Sequence, residues 1–145
     1  MNRDAICARL PHAGRMCLLD RLAAWDADSI VCLATSHRDA YNPLREAGHL
    51  HAISGVEYAA QAMALHGSLL AAPDAAPAIG YLASARDIQL DLEDLGTLTE
   101  DLNITARRLG GDGSGFIYEF EIRAGTRRVL SGRLAAKLLA AGDLA

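Results

Sequence analysis

The apolar positions of this chain follow two different periods. From Gly55 to Leu70 nearly every side chain is apolar or small and a good helix former, with Ser54 ahead of the run as N-cap and Pro73 closing it. The pattern predicts one long helix without a solvent face, buried nearly all round. Glu57 and Gln61 break it, four apart and therefore on one face. A carboxylate in the first turns of a buried helix either favours the positive end of the helix dipole or sits at a site.

Elsewhere the period is close to two. Residues 30–35, 88–92, 116–122 and 128–139 read as strands, and residues 97–109 alternate more loosely. Residues 4–10 form a short helix ended by Pro11, and Ala27-Asp28-Ser29 and Ala124-Gly125-Thr126 are turns. Residues 37–51, with Asn42-Pro43 and Gly48, read as a loop over the surface, long enough to suggest function. Residues 73–77 form another loop. Strand, long helix, then antiparallel meander is an α+β pattern: one central helix packed on a curved sheet.

A length of 145 residues fits one domain, 1–145. Hydrophobic content is 51% but aromatic content only 5%, so the core is expected to be built from Ala, Leu, Ile and Val. A net charge of −4 argues against nucleic acid or an anionic membrane surface as the main partner. His66-Gly67-Ser68 interrupts the longest apolar stretch, which is no membrane span, and the N-terminus lacks the apolar core of a signal peptide. Cys7, Cys17 and Cys32 are odd in number and without C-x-x-C spacing, so they read as buried reduced thiols of a cytoplasmic protein.

Candidate chemistry is sparse. Residues 110–115 are glycine-rich but join two strands and lack G-K-[ST], so they read as a hairpin loop rather than a phosphate cradle. Asp91, Glu93 and Asp94 lack calcium-loop spacing and read as a solvated strand end. His12 and His37 take surface or hydrogen-bonding roles, and His66 is a satisfied core or interface histidine. No serine stands in a G-x-S-x-G elbow. What remains is Gly48-His49-Leu50-His51 followed by Glu57. These are either a general base and acid at the entrance to the helix, or ordinary loop residues and a helix-start carboxylate.

In order along the chain, Leu10-Pro11-His12 and Met16-Cys17-Leu18-Leu19-Asp20-Arg21-Leu22 resemble the opening L-P-H-R-x-P-x-L-L-V-D-R-V of the 3-hydroxyacyl-acyl-carrier-protein dehydratases. Gly48-His49 and Glu57-Tyr58-Ala59-Ala60-Gln61 continue the likeness, the latter against E-A-x-A-Q, as do residues 80–87. The helix start is most similar to G-I-E-Y-x-A-Q of a divergent branch found with aryl-polyene and related pigment pathways. The resemblance covers almost the whole chain.

It implies a hot-dog fold: a helix wrapped by an antiparallel sheet of five or six strands. It also implies a homodimer or higher oligomer, or a heterodimer with a related dehydratase. The implied reaction is dehydration of a 3-hydroxyacyl thioester on acyl carrier protein to the trans-2-enoyl product, without metal or redox cofactor. The resemblance places the active site at a dimer interface, where Glu57 takes the place of the family's general acid and His49 of the other subunit, with His51 as substitute, that of the base. Gly55 and Val56 fall at the positions whose N–H groups face the thioester carbonyl, and Gln61 falls on a glutamine of the same site. Arg86, Arg107, Arg108, Arg127 and Arg128 are candidates for docking an acidic carrier protein. The chain departs from H-F-P-x-x-P-x-x-P-G-x-x-x-x-E in lacking its prolines and most of the intervening loop, and His51 stands where the divergent branch has proline. The same fold supports two other expectations, a thioesterase with Glu57 activating water and a non-catalytic accessory subunit.

Overall fold

The computed structural model describes residues 1–10, 16–71, 79–112 and 114–139. Its elements are α1 (Arg3–Ala8), β1 (Arg21–Trp25), β2 (Ser29–Ala34), α2 (Gly55–Leu70), β3 (Ile79–Leu90), β4 (Leu102–Asp112), β5 (Gly115–Ala124) and β6 (Arg127–Leu139). The strands form one antiparallel sheet in the order β1-β2-β4-β5-β6-β3. α2 lies chiefly across β2, β4 and β5. This is the helix-and-wrapped-sheet arrangement expected, with six strands. Pro11, His12 and the loop at 73–77 lie outside the described residues.

The period-two pattern becomes the core. Leu22, Cys32, Ile104, Ile122, Leu130 and Leu90 stand in one row across all six strands, paired neighbour to neighbour. Cys32, Ile104, Ile122 and Leu130 are fully buried, and each such aliphatic side chain contributes about 1.5–3 kcal/mol through its removal from water. At the end of the row Leu90 is 48% exposed, because β3 is an open edge beyond the reach of the helix. Gly55 lets the helix start approach this row: a Cβ there would lie 2.5 Å from Leu130 Cδ2 and 3.2 Å from Ile122 Cδ1.

Several expectations change. The helix is not buried all round: Glu57, Ala64, Gly67 and Leu70 are exposed, since a single sheet covers only one side of it. Ser54 makes no capping bond, because a 3-10 turn at Ala52–Ser54 runs straight into α2 and holds Ser54 in helical geometry. Gly110 and Gly111, followed by Asp112, extend β4 rather than forming a long loop. Residues 79–90 are one strand, kept continuous through two irregularities, with Asp87 at φ 54° in the second. Cys7 and Cys17 are joined in a disulfide, which corrects the reading of reduced thiols for those two. The segment from Met16 lies beside α1, with Arg3 donating to the Cys17 carbonyl. Cys32 alone remains a free buried thiol, its pKa pushed up to about 12 by burial. No helix among the described residues is long and apolar enough to cross a membrane.

Candidate active site

The loop at 36–51 is held from inside by a chain of hydrogen bonds. Asn42 Nδ2 donates to the Tyr58 hydroxyl (3.1 Å), which donates to Ser36 Oγ (2.8 Å), which donates to the Leu18 carbonyl (2.7 Å). Every member is buried, so each bond also avoids the cost of leaving a polar group dry. Burial pushes the Tyr58 phenol above its usual range. Arg45 gathers the outer half of the loop, donating to the carbonyls of Asp39 (2.8 Å), His37 (2.9 Å) and Gly48 (3.1 Å). Ala47 and Gly48 both take positive φ, 52° and 80°, the geometry of a tight two-residue turn. That turn lets Glu46 and His49 exchange backbone hydrogen bonds in both directions, at 2.8 and 2.9 Å. The glycine of the Gly48-His49 pair is thus a turn residue that aims the histidine.

His49 is 63% exposed, with Nδ1 2.9 Å from Asp94 Oδ2. His51 has Nε2 3.8 Å from Glu46 Oε2, and the two imidazole rings are 6.5 Å apart. Asp94, which the sequence places in a solvated acidic run, is instead a partner of His49. Its place beside His49 is set by a backbone bridge between His51 and Asp94, 43 positions apart in sequence and invisible to local spacing. In the same run, Asp91 pairs with Arg128 at 2.9 Å.

On the helix, Glu57 is exposed, and its carboxylate makes no hydrogen bond or ion pair with another described residue. Ile53, one turn earlier, lines an open groove of about 590 Å³ together with His51, Leu90 and Leu92. No hydrogen bond or ion pair joins Glu57 to His49 or His51 within the chain, among the described residues. The remaining expected site residues are engaged internally. The Gly55 N–H donates to the Ala52 and Ile53 carbonyls of the 3-10 turn, and Val56 is half-buried against the core. Gln61 is buried, its Oε1 accepting from the Leu18 N–H (2.8 Å) and its Nε2 donating to the Met16 carbonyl. Of the arginines singled out, Arg107 pairs with Glu119, Arg128 with Asp91, and Arg108 lies 3.9 Å over the Phe116 ring. His66 and His37 are core groups: His66 is hydrogen-bonded at both ring nitrogens, and His37 donates from Nε2 to the Glu100 carbonyl.

Known proteins share this architecture. The dehydratase heterocomplex ApeI:P from Xenorhabdus doucetiae superposes with a TM-score of 0.85 at 24% identity, over 96% of this chain and 93% of that one. A mutant thioesterase from Pseudomonas aeruginosa gives 0.67 at 11% identity, over 96% and 94%. The PaaI protein from the E. coli phenylacetic acid degradation operon gives 0.64 at 15%, over 96% and 91%. No curated protein matches the chain. The sheet-wrapped helix is the hot-dog fold these structures share, and a family model described as ApeP dehydratase matches residues 5–138. The chain therefore belongs to the ApeP-like dehydratases.

Proposed function

We propose that the protein removes water from a 3-hydroxyacyl thioester carried on acyl carrier protein, giving the trans-2-enoyl thioester. The observation that carries this reading is Glu57 in an ApeP-like dehydratase: an exposed carboxylate without an internal partner, in the first turn of the central helix. In the reaction His49, with His51 as its substitute, takes the α-proton. The electron pair left behind forms the C=C bond as the C3–O bond breaks. Glu57 in its acid form protonates the departing hydroxyl, which leaves as water. The positive end of the helix at Gly55 and Val56 faces the charge that develops on the thioester carbonyl, and Gln61 holds the wall of the site.

As the family resemblance implies, the reading places base and acid on different subunits, in keeping with the absence of a hydrogen bond or ion pair between Glu57 and either histidine among the described residues. They meet where the open β3 edge and the Ile53–Leu90 groove are covered by a partner. The similarity to a dehydratase heterocomplex supports a second, related dehydratase chain as that partner. The carrier-protein substrate is the ground for proposing the cytoplasm as the compartment. The test is mass spectrometry of a 3-hydroxyacyl carrier protein incubated with the chain, alone and with a related dehydratase. Loss of one water mass, abolished by Glu57→Gln and by His49→Ala or His51→Ala, is the expected result. Release of free acid would instead identify a thioesterase.

A further inference from the structure

His49 and His51 are both exposed, and the sequence does not choose between them. Their surroundings differ. Among the described residues His51 pairs with Glu46, whose 3.8 Å separation is too long for a hydrogen bond. His49 has Asp94 at 2.9 Å on Nδ1. We propose that Asp94 is the positioning residue for His49, so that the two form an aspartate–histidine dyad with Nε2 presented outward as the proton acceptor. The inference rests on the dehydratase reading and deepens it.

The chemistry follows from the inventory of donors. An ionised carboxylate only accepts, so the hydrogen bond requires the proton of the neutral imidazole on Nδ1 and leaves the lone pair on Nε2. Asp94 is in turn fixed. Its Oδ1 accepts from the Leu50 N–H (3.1 Å) and the Gly96 N–H (2.8 Å). The bond from His49, with the two backbone donors, holds its carboxyl below the usual range. The two segments are laced together by Leu95 N–H to Leu50 O (2.8 Å) and Ala52 N–H to Glu93 O (2.9 Å), and both leucines are fully buried. Carboxylate and frame thus anchor the ring by Nδ1, which favours a base that acts without first reorganising.

Asp94→Asn tests this. The amide oxygen can keep the Leu50 and Gly96 bonds, while its NH₂ group cannot accept from Nδ1–H. Two-bond ¹⁵N–¹H spectra of the His49 ring should show the proton on Nδ1 in the wild type and a shift toward Nε2 in the variant. In the assembly that turns over, kcat should fall about 10- to 100-fold, less than the whole contribution of a general base, with KM nearly unchanged. In a His49→Ala background the same change should have no further effect, which a merely structural role would not produce. A wild-type ring protonated on Nε2, or one unaltered by Asp94→Asn, overturns the dyad whatever the activity. A tautomer change without loss of kcat overturns the positioning role. A wild-type assembly that never removes water overturns the dehydratase reading and the catalytic use of the dyad together, and the spectra then decide the hydrogen bond alone.

Discussion

Tyr118 and His66 meet in the core at 2.5 Å, hydroxyl to Nδ1, with their rings at 90°. His66 Nε2 lies 2.8 Å from the Asp26 carbonyl, which can only accept. Nε2 therefore carries the ring proton, and the Tyr118 hydroxyl must donate to Nδ1. Burial pushes that phenol above its usual range, so it stays protonated and able to donate. Tyr118→Phe keeps the shape but leaves a buried lone pair dry, and should cost about 1–3 kcal/mol. Urea denaturation checks it. An unchanged midpoint would mean that water replaces the hydroxyl.

Gln61 ties α2 to the segment at Met16 and Leu18 through both ends of its amide. Gln61→Leu preserves bulk but strips a partner from a buried N–H and from a carbonyl. Stability should drop by about 1–3 kcal/mol. If the glutamine serves the substrate through this scaffold, KM measured well below the melting range should be close to wild type. A large rise in KM in a variant of normal stability would instead assign the amide to direct substrate contact.

How far the sequence speaks is visible in these residues. The apolar row from Cys32 to Leu90 was legible because period two is a local consequence of strand geometry, and the limits of α2 because it is an unbroken run of helix formers. β1, which adds Leu22 to the row, was not. The satisfied state of His66 was legible too, since a histidine inside an apolar helix needs partners. The exposure of Glu57 was not. An all-apolar helix surface looks the same whether sheet covers it on one side or two, and the uncovered side here is the one the proposed function uses. Asp94 was equally hidden. The Asp94-Leu95-Gly96 spacing signals a local turn, but nothing in it says that residues 49–52 lie alongside.

The Cys7–Cys17 bond closes a short loop between α1 and the strand-leading segment. By restricting the unfolded chain it should contribute about 3 kcal/mol, the value for loops of roughly this length. Reductant should therefore lower the melting temperature of the wild type and leave a Cys7→Ser, Cys17→Ser double variant unmoved. Thiol titration gives an independent count. With Cys32 buried, its pKa pushed up to about 12, the folded protein should show no reactive thiol. The unfolded chain should show one without reductant and three with it. Three reactive thiols in unreduced unfolded protein would refute the bond.

His37 gives the fold a pH dependence of definite sign. It is fully buried; Nε2 donates to the Glu100 carbonyl at 2.9 Å, and Nδ1 has no partner among the described residues. A second proton on Nδ1 would be a buried charge with nothing to accept it. Burial accordingly lowers the pKa from the ordinary value near 6.5, with Arg38 acting the same way and the Glu100 bond, Asp101 and Asp20 opposing. The unfolded chain keeps the ordinary value, so below about pH 6.5 it binds a proton that the folded chain refuses. The stabilising difference is complete above that pH and is lost as pH falls toward the lowered folded-state pKa. Urea midpoints between pH 7.5 and 5.5 should fall for the wild type, and fall less for His37→Gln, whose amide can still donate to Glu100 but does not titrate. Equal slopes for the two proteins would show that His37 takes up its proton without unfolding, and that the space beside Nδ1 admits water.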